Sequence, residues 1–261
     1  MAIARKRSKW RVWRDVIYSL MVREIKTGFS DKLGLSWAIL NPIVFIFVLS
    51  FVRGRLDGGE TYSMPTFTFM AYGLLIFQLF LQTFNASSMA IKKSKPLFAF
   101  RQVQPISPVI ACAVFEGIVK IFVIIGITVV MYLLMMEIRI DNPLGVISIF
   151  FTVWFIGGIA GLIFGIAQLY IPEINKFKNM MTRPLFFISG IFFSLRDIPK
   201  EYWWLLDWNP LLHATELARY YSYTSYGKVG VSQSFILEVL LVMTAFSLLF
   251  YRASWKGAIS R

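Results

Sequence analysis

The sequence predicts an all-α integral membrane protein. Six transmembrane helices per subunit are expected, preceded by an amphipathic helix and interrupted by re-entrant helices between spans five and six. Three observations predict it. Hydrophobic residues fill 57% of the 261 positions and charged residues only 16%, where soluble domains average about 45–50% and about 25%. The mean hydropathy is +0.64, and long charge-free runs recur along the chain. The basic residues, 27 against 14 acidic ones, gather on alternate connections, as cytoplasmic loops do under the positive-inside rule.

The elements follow in order. The first 32 residues carry nine Lys and Arg and lack an apolar core followed by a small-residue cleavage site, so no secretory signal is expected. Trp10, Trp13, Ile17, Leu20 and Met21 recur at helical spacing, with Lys9, Arg11, Arg14 and Arg23 on other faces. That pattern predicts an amphipathic helix within 1–32 lying along the cytoplasmic leaflet. Spans are expected at 33–52, 67–87, 109–136, 146–170 and 231–251, each able to cross about 30 Å of hydrocarbon at about 1.5 Å per residue. A further span, fifth in order, is expected at 179–195. Its apolar part, Pro184–Leu195, reaches only about 18 Å as helix and gains length from Asn179–Arg183, with Arg183 snorkelling. Nineteen of the 27 Lys and Arg fall on one side and seven on the other, with Lys120 inside the membrane. This places both termini in the cytoplasm.

Three segments carry candidate functional residues. The connection 88–106 is basic through Lys92, Lys93 and Arg101, yet it also offers Leu97, Phe98 and Phe100. Pro96 and Pro105 can bracket a short helix there. Its apolar face could dock in a groove on a cytoplasmic partner or lie on the membrane surface, and the residues leave both open. The outer segment 196–230 is dense in aromatics, among them Tyr202, Trp203, Trp204, Trp208 and Tyr220, and Pro199 and Pro210 cut it into pieces too short to span. Re-entrant helices, an aromatic belt and a carbohydrate path all fit that composition. In the fourth span Gly157, Gly161 and Gly165 form overlapping GxxxG steps, a helix-packing signal. Glu116 and Lys120 are placed for an i,i+4 ion pair.

Several classes of function drop out. Cys112 is the only cysteine and His213 the only histidine, so an internal disulfide, a multi-thiolate site or HExxH zinc chemistry has no ligands. No catalytic residue and no metal ligand is expected, and nothing points to nucleic acid. No GxxxxGK[ST] phosphate loop occurs, since Gly227-Lys228 is followed by Val229; if ATP drives transport, another polypeptide hydrolyses it. A membrane-embedded lipid-linked sugar transferase would need clustered acids or histidines. Asp197, Glu201 and Asp207 are interleaved with Lys200 and aromatics, which reads as a solvated loop.

Four stretches in order resemble one family. They are Arg23-Glu24-Ile25-Lys26-Thr27 with Leu33–Pro42; Phe98–Ile106; Pro172-Glu173 with Arg183–Ile191; and Ile198–Trp203 with Trp208–His213 and Glu216–Arg219. Together they resemble the permease subunits of polysaccharide-exporting ABC transporters, most closely the capsular-polysaccharide export permeases. The resemblance implies a homodimer in the bacterial inner membrane with two ABC ATPase subunits beneath it, which bind ATP and magnesium while this chain binds no cofactor. It implies a periplasmic co-polymerase and an outer-membrane channel as further partners. The cargo implied is a lipid-linked, acidic capsular polysaccharide moving from cytoplasm to periplasm; an O-antigen, a teichoic-acid-like polymer or a smaller lipophilic compound are alternatives. On this reading Lys92, Lys93, Leu97, Phe98, Phe100 and Arg101 form a coupling helix that enters the ATPase, and the N-terminal helix is an interface helix. Arg23 and Lys26 would meet the acidic substrate, or phospholipid headgroups, at the cytoplasmic mouth. The re-entrant region 196–230 would be a periplasmic exit gate with Tyr202, Trp203, Trp204, His213 and Tyr220.

Overall fold

The computed structural model describes residues 8–28, 34–56 and 58–260. Within them lie eight α-helices: α1 (Lys9–Gly28), α2 (Gly34–Leu56), α3 (Thr66–Lys93), α4 (Ile106–Leu133), α5 (Pro143–Tyr170), α6 (Ile174–Ile188), α7 (Pro210–Ser222) and α8 (Gln233–Ser260). Five of these, α2, α3, α4, α5 and α8, are long and apolar enough to cross a membrane. Positions 1–7 and 29–32 of the expected amphipathic helix, and Leu33 of the first span, lie outside the described residues.

The bundle is built around α3. Its most apolar stretch is 78% buried, against 17% for α2 and 11% for α8, so α3 is the axis and the other two face outward. Small residues allow the close approach. A side chain at Gly157 would meet the Phe80 carbonyl at 3.1 Å, and one at Gly161 would collide with Ser87. At Gly165 it would meet the Ser88 carbonyl at 3.1 Å. These three glycines lie one turn apart on the face of α5 that meets α3, where each missing methyl group lets the backbones close.

Several boundaries differ from the sequence expectation. The helix expected over 179–195 runs instead over Ile174–Ile188, fifteen residues, about 22 Å of helix. Beyond it Ser189 is buried, Gly190 takes a left-handed φ of +68° and the chain turns away. The carbonyls of Ile191 and Phe193 accept hydrogen bonds from Arg219, which substitutes for the helical ladder they would otherwise join. The third span ends at Leu133 rather than 136 because Met135 sits at φ 52°, a conformation outside any right-handed helix. The connection expected at 88–106 is shorter, since α3 continues to Lys93. The Ser94 N–H then bonds the carbonyls of Ala90 and Ile91 at 3.1 and 3.2 Å, and one five-residue 3-10 turn, Lys95–Ala99, follows with Pro96 at its start. Lys176–Lys178, ahead of the span expected at 179–195, is helical within α6.

Outside the bundle, segments are stitched together. A two-residue hairpin joins β1 (Glu60–Thr61) to β2 (Met64–Pro65), with Tyr62 and Ser63 both at positive φ, as a right-twisted hairpin requires. Region 196–230 consists of short 3-10 turns at Leu195–Asp197, Lys200–Leu205 and Thr224–Tyr226 around the 13-residue α7. Pro210 starts α7 at its first turn, and the Asn209 side chain caps the Leu211 N–H at 3.0 Å. Asn142 does the same for α5, accepting from Gly145 at 2.9 Å.

Candidate functional site

A groove of about 510 Å³ runs between α2, α3 and α6. Asn41, Pro42 and Phe45 come from α2, Phe77, Gln78, Leu81 and Gln82 from α3, and Thr182, Arg183, Phe186 and Phe187 from α6. Pro42 lies inside α2 and withholds the hydrogen bond its position would give to the preceding turn. Gln78 and Gln82 are four apart and so share one face of α3. The ring of Phe186 meets Phe77 edge-on with centroids 5.1 Å apart, which holds α6 against the axis. No carboxylate lines the groove. It offers amide and guanidinium donors between phenyl faces. Arg183 stood out from sequence, and Asn41, Pro42, Phe186 and Phe187 fell in the stretches that carry the family resemblance. Gln78 and Gln82 did not stand out, although two amides at helical spacing inside an otherwise apolar span are a signal.

α6 is anchored at its N-terminal half by Lys178, which is buried and donates to Ser88 Oγ at 2.9 Å beneath the ring of Phe84. Lys120 of α4, also buried, points its Nζ at Gln78 Oε1, 3.5 Å away. The expected ion pair with Glu116 is not formed: among the described residues no contact within 4.0 Å joins them. Lys120 reaches across to α3 instead of back along its own helix.

At the end of the bundle where α3 passes to α4, Lys92, Lys93 and Arg101 are exposed and Phe100 is 64% exposed. Leu97 and Phe98 are half-buried, and Phe98 packs on a lower core of Ile91, Val109, Leu162 and Ile166. Of the three bulky side chains expected to stand free, Phe100 alone does. Arg23 of α1 donates to Glu24 Oε1 at 2.7 Å and to Ser94 Oγ at 2.9 Å; this ties the amphipathic helix to the residue that ends α3. Lys26 is exposed.

The outer residues divide into two sets. Tyr202 and Trp204 are exposed. Trp203 is half-buried, donates from its ring nitrogen to the Ile198 carbonyl at 2.8 Å and fills the space left by Gly230. His213 is a clamp: Nδ1 accepts the Ser232 N–H at 3.0 Å while Nε2–H donates to the Asp207 carbonyl at 2.7 Å. That arrangement requires the neutral ring, and burial pushes its pKa below the usual value. Tyr220 packs against Tyr221 with the two rings tilted at 50°. Asp197, Glu201 and Asp207 do not converge, and among the described residues no group of three His, Cys, Asp or Glu could hold a metal.

Beneath this surface lies an ionic cluster that the sequence signalled only as Glu216–Arg219. Arg219 is fully buried, pairs with Glu216 Oε1 at 2.8 Å and donates to the carbonyls of Phe69 at 3.1 Å and Ile191 at 3.0 Å. Glu216 also accepts from Ser194 Oγ and from Tyr226 OH, both at 2.9 Å. The cluster thereby joins α3, the end of α6 and α7. Nearby, Asp141 accepts from Arg139 at 2.6 Å and from the Thr224 amide and hydroxyl. The Arg139 hydrogen bond, followed by the Thr224 ones, holds its carboxyl well below the usual range.

A family model described as ABC-2 type transporter matches residues 15–223. The polysialic acid transport protein KpsM of Escherichia coli is 32% identical over 255 residues, covering 97% of this chain and 99% of that one. The capsule polysaccharide export inner-membrane protein BexB of Haemophilus influenzae is 26% identical, covering 87% and 89%. The O-antigen export system permease protein RfbA of Klebsiella pneumoniae is 25% identical over 76% of each. A multi-pass bundle with five membrane-length helices and an extended match on both counts leads to one assignment: the chain belongs to the ABC-2 type transporter family of membrane domains.

Proposed function

We propose that this chain is the permease subunit of an ATP-driven exporter carrying lipid-linked acidic capsular polysaccharide across the bacterial inner membrane. The observation that carries the reading is the α2–α3–α6 groove, where amides and Arg183 can bond sugar hydroxyls and carboxylates while phenyl rings cover the sugars' C–H faces. The relatives' names, a polysialic acid transport protein and a capsule polysaccharide export inner-membrane protein, support it. α6 and the residues after it form a sixth crossing, fifth in order. Two copies face each other across α2 and α6, so that their grooves combine into one conduit, with both termini in the cytoplasm.

The chain hydrolyses nothing itself. Phe100, Arg101 and the lysines beside them insert into two ABC ATPase subunits that hold ATP and magnesium, and Leu97 and Phe98 transmit that contact into the bundle. Lys26 and Arg23 stand at the cytoplasmic mouth, where they meet the acidic end of the substrate. Tyr202 and Trp204 form the exit surface, held in place by Trp203, His213 and Tyr220, and deliver the polymer to a periplasmic co-polymerase and outer-membrane channel. The test is ATP-driven export of labelled polymer by the permease–ATPase complex in proteoliposomes. Replacing Phe100→Ser and Arg101→Glu together abolishes export while the subunit remains inserted; export at the wild-type rate overturns the coupling surface. The match to RfbA favours an O-antigen as the second reading of the cargo, and mass spectrometry of the polymer retained by a deletion strain decides between them.

A further inference from the structure

The groove has a feature whose origin lies behind its wall. Gln78 lines the groove from α3, and its side-chain oxygen faces Lys120 Nζ of α4 at 3.5 Å. Lys120 also lines a separate apolar cavity of about 670 Å³ between α3, α4 and α5, so it stands between that cavity and a residue of the groove wall. Lys120 is only 2% exposed and stands fourteen residues into the 28-residue α4, about midway across the bilayer. A cation at that depth is costly and normally faces a partner or a wet path. Among the described residues it has no carboxylate within 4.0 Å. Its partner is the amide oxygen of a groove residue.

We infer that Lys120 is a specificity-determining residue of the transport path, acting through Gln78. An amide has one acceptor end and one donor end. With the ammonium on the carbonyl, the reverse orientation would bring N–H against N–H, so the donor end is the one Gln78 turns to the groove. Lys120 thus fixes the polarity of the wall at mid-membrane. Together with Arg183 it gives a groove without carboxylates a donor-rich, positive field that favours a polyanionic chain over a neutral one of the same shape. Lys120 is a positioning residue, since the polymer touches Gln78 and not the amine.

This inference rests on the exporter reading, and the experiment separates the two. The complex of this chain with its ATPase in proteoliposomes is given a carboxylated glycan, or the same glycan with its carboxyls reduced to alcohols, and polymer-stimulated ATP hydrolysis and export are measured. Wild type favours the carboxylated chain. Lys120→Met lowers export of that chain by about tenfold, at the lower end of what charged clefts contribute, and leaves the reduced chain within about twofold. Lys120→Arg restores the preference. Gln78→Leu, which removes the relay without touching the cation, loses the preference as Lys120→Met does and gives the answer if that variant fails to assemble. Equal loss for both polymers, or an unchanged ratio in both Lys120→Met and Gln78→Leu, overturns the inference while the exporter reading stands. A wild-type complex that moves neither polymer overturns both.

Discussion

Arg219 shows how much one side chain can organise. Its guanidinium is wholly buried against the ring of Phe69, 3.4 Å from the centroid, and donates to three backbone carbonyls besides Glu216. Burying a pair like this is close to neutral, but removing one partner strands the other charge. Arg219→Ala is therefore expected to destabilise the subunit by about 3–5 kcal/mol, read as a lowered unfolding temperature in detergent, and Glu216→Gln by less. His213 works in the opposite way, as a neutral ring outside the spanning helices. Its pKa is lowered by burial, so the unfolded chain takes up the proton first as pH falls below about 6.5, the ordinary imidazole value. The stability His213 contributes is complete above that pH and declines below it. Trp fluorescence of the 196–230 region, followed during unfolding at pH 7.5 and 5.5, should show that decline, and His213→Gln should flatten it. His213 entered as a gate residue through the family resemblance; the two hydrogen bonds that make it a clamp come from positions 207 and 232, which no local pattern connects.

Among the elements, long charge-free runs were legible because a bilayer leaves so few alternatives. That some helix packs closely on α5 was legible too, since glycines at positions 157, 161 and 165 have little other use on one helix face; that the neighbour is α3 was not. Gly161→Leu is expected to push α5 off α3 and to cost about 1–3 kcal/mol by overpacking, measured by the same thermal unfolding. A Gly158→Leu control lies against α4, where a methyl group would meet the side-chain carbon of Ala113 at 3.6 Å, and should cost less. The end of α6 was not legible. Pro184–Leu195 is apolar throughout, and what stops the helix at Ile188 is a guanidinium arriving from residue 219. The partner of Lys120 was missed for the same reason: spacing along one helix pointed to Glu116, while the shorter reach was to a neighbouring helix.

For the molecule as a whole, composition and charge distribution announced a membrane bundle, and the bundle is present. Its outward faces on α2 and α8 carry large apolar side chains, including Phe45 at 42% and Leu241 at 69% exposure. Whether any of them meets a second copy, as the proposed dimer requires, is open to direct test, because Cys112 is the only cysteine. In a Cys112→Ser background, Phe45→Cys at the rim of the groove should form a disulfide between subunits on mild oxidation, seen as a dimer band on a non-reducing gel. Ile121→Cys, on the face of α4 that lines the lateral cavity, should not. The reverse pattern would place the twofold axis elsewhere.

The carbonyls that Arg219 gathers lie at residues 69, 191 and 193, and its carboxylate partner one turn behind it. A guanidinium has a fixed fork, so these distances hold only if the number of residues from the α6 terminus to residue 219 is kept. Substitution within that stretch leaves the count intact; a single inserted or deleted codon does not. Spelling there is freer than length, and an indel between 190 and 219 should be tolerated only where a turn such as 198–208 can loop the extra residue outward.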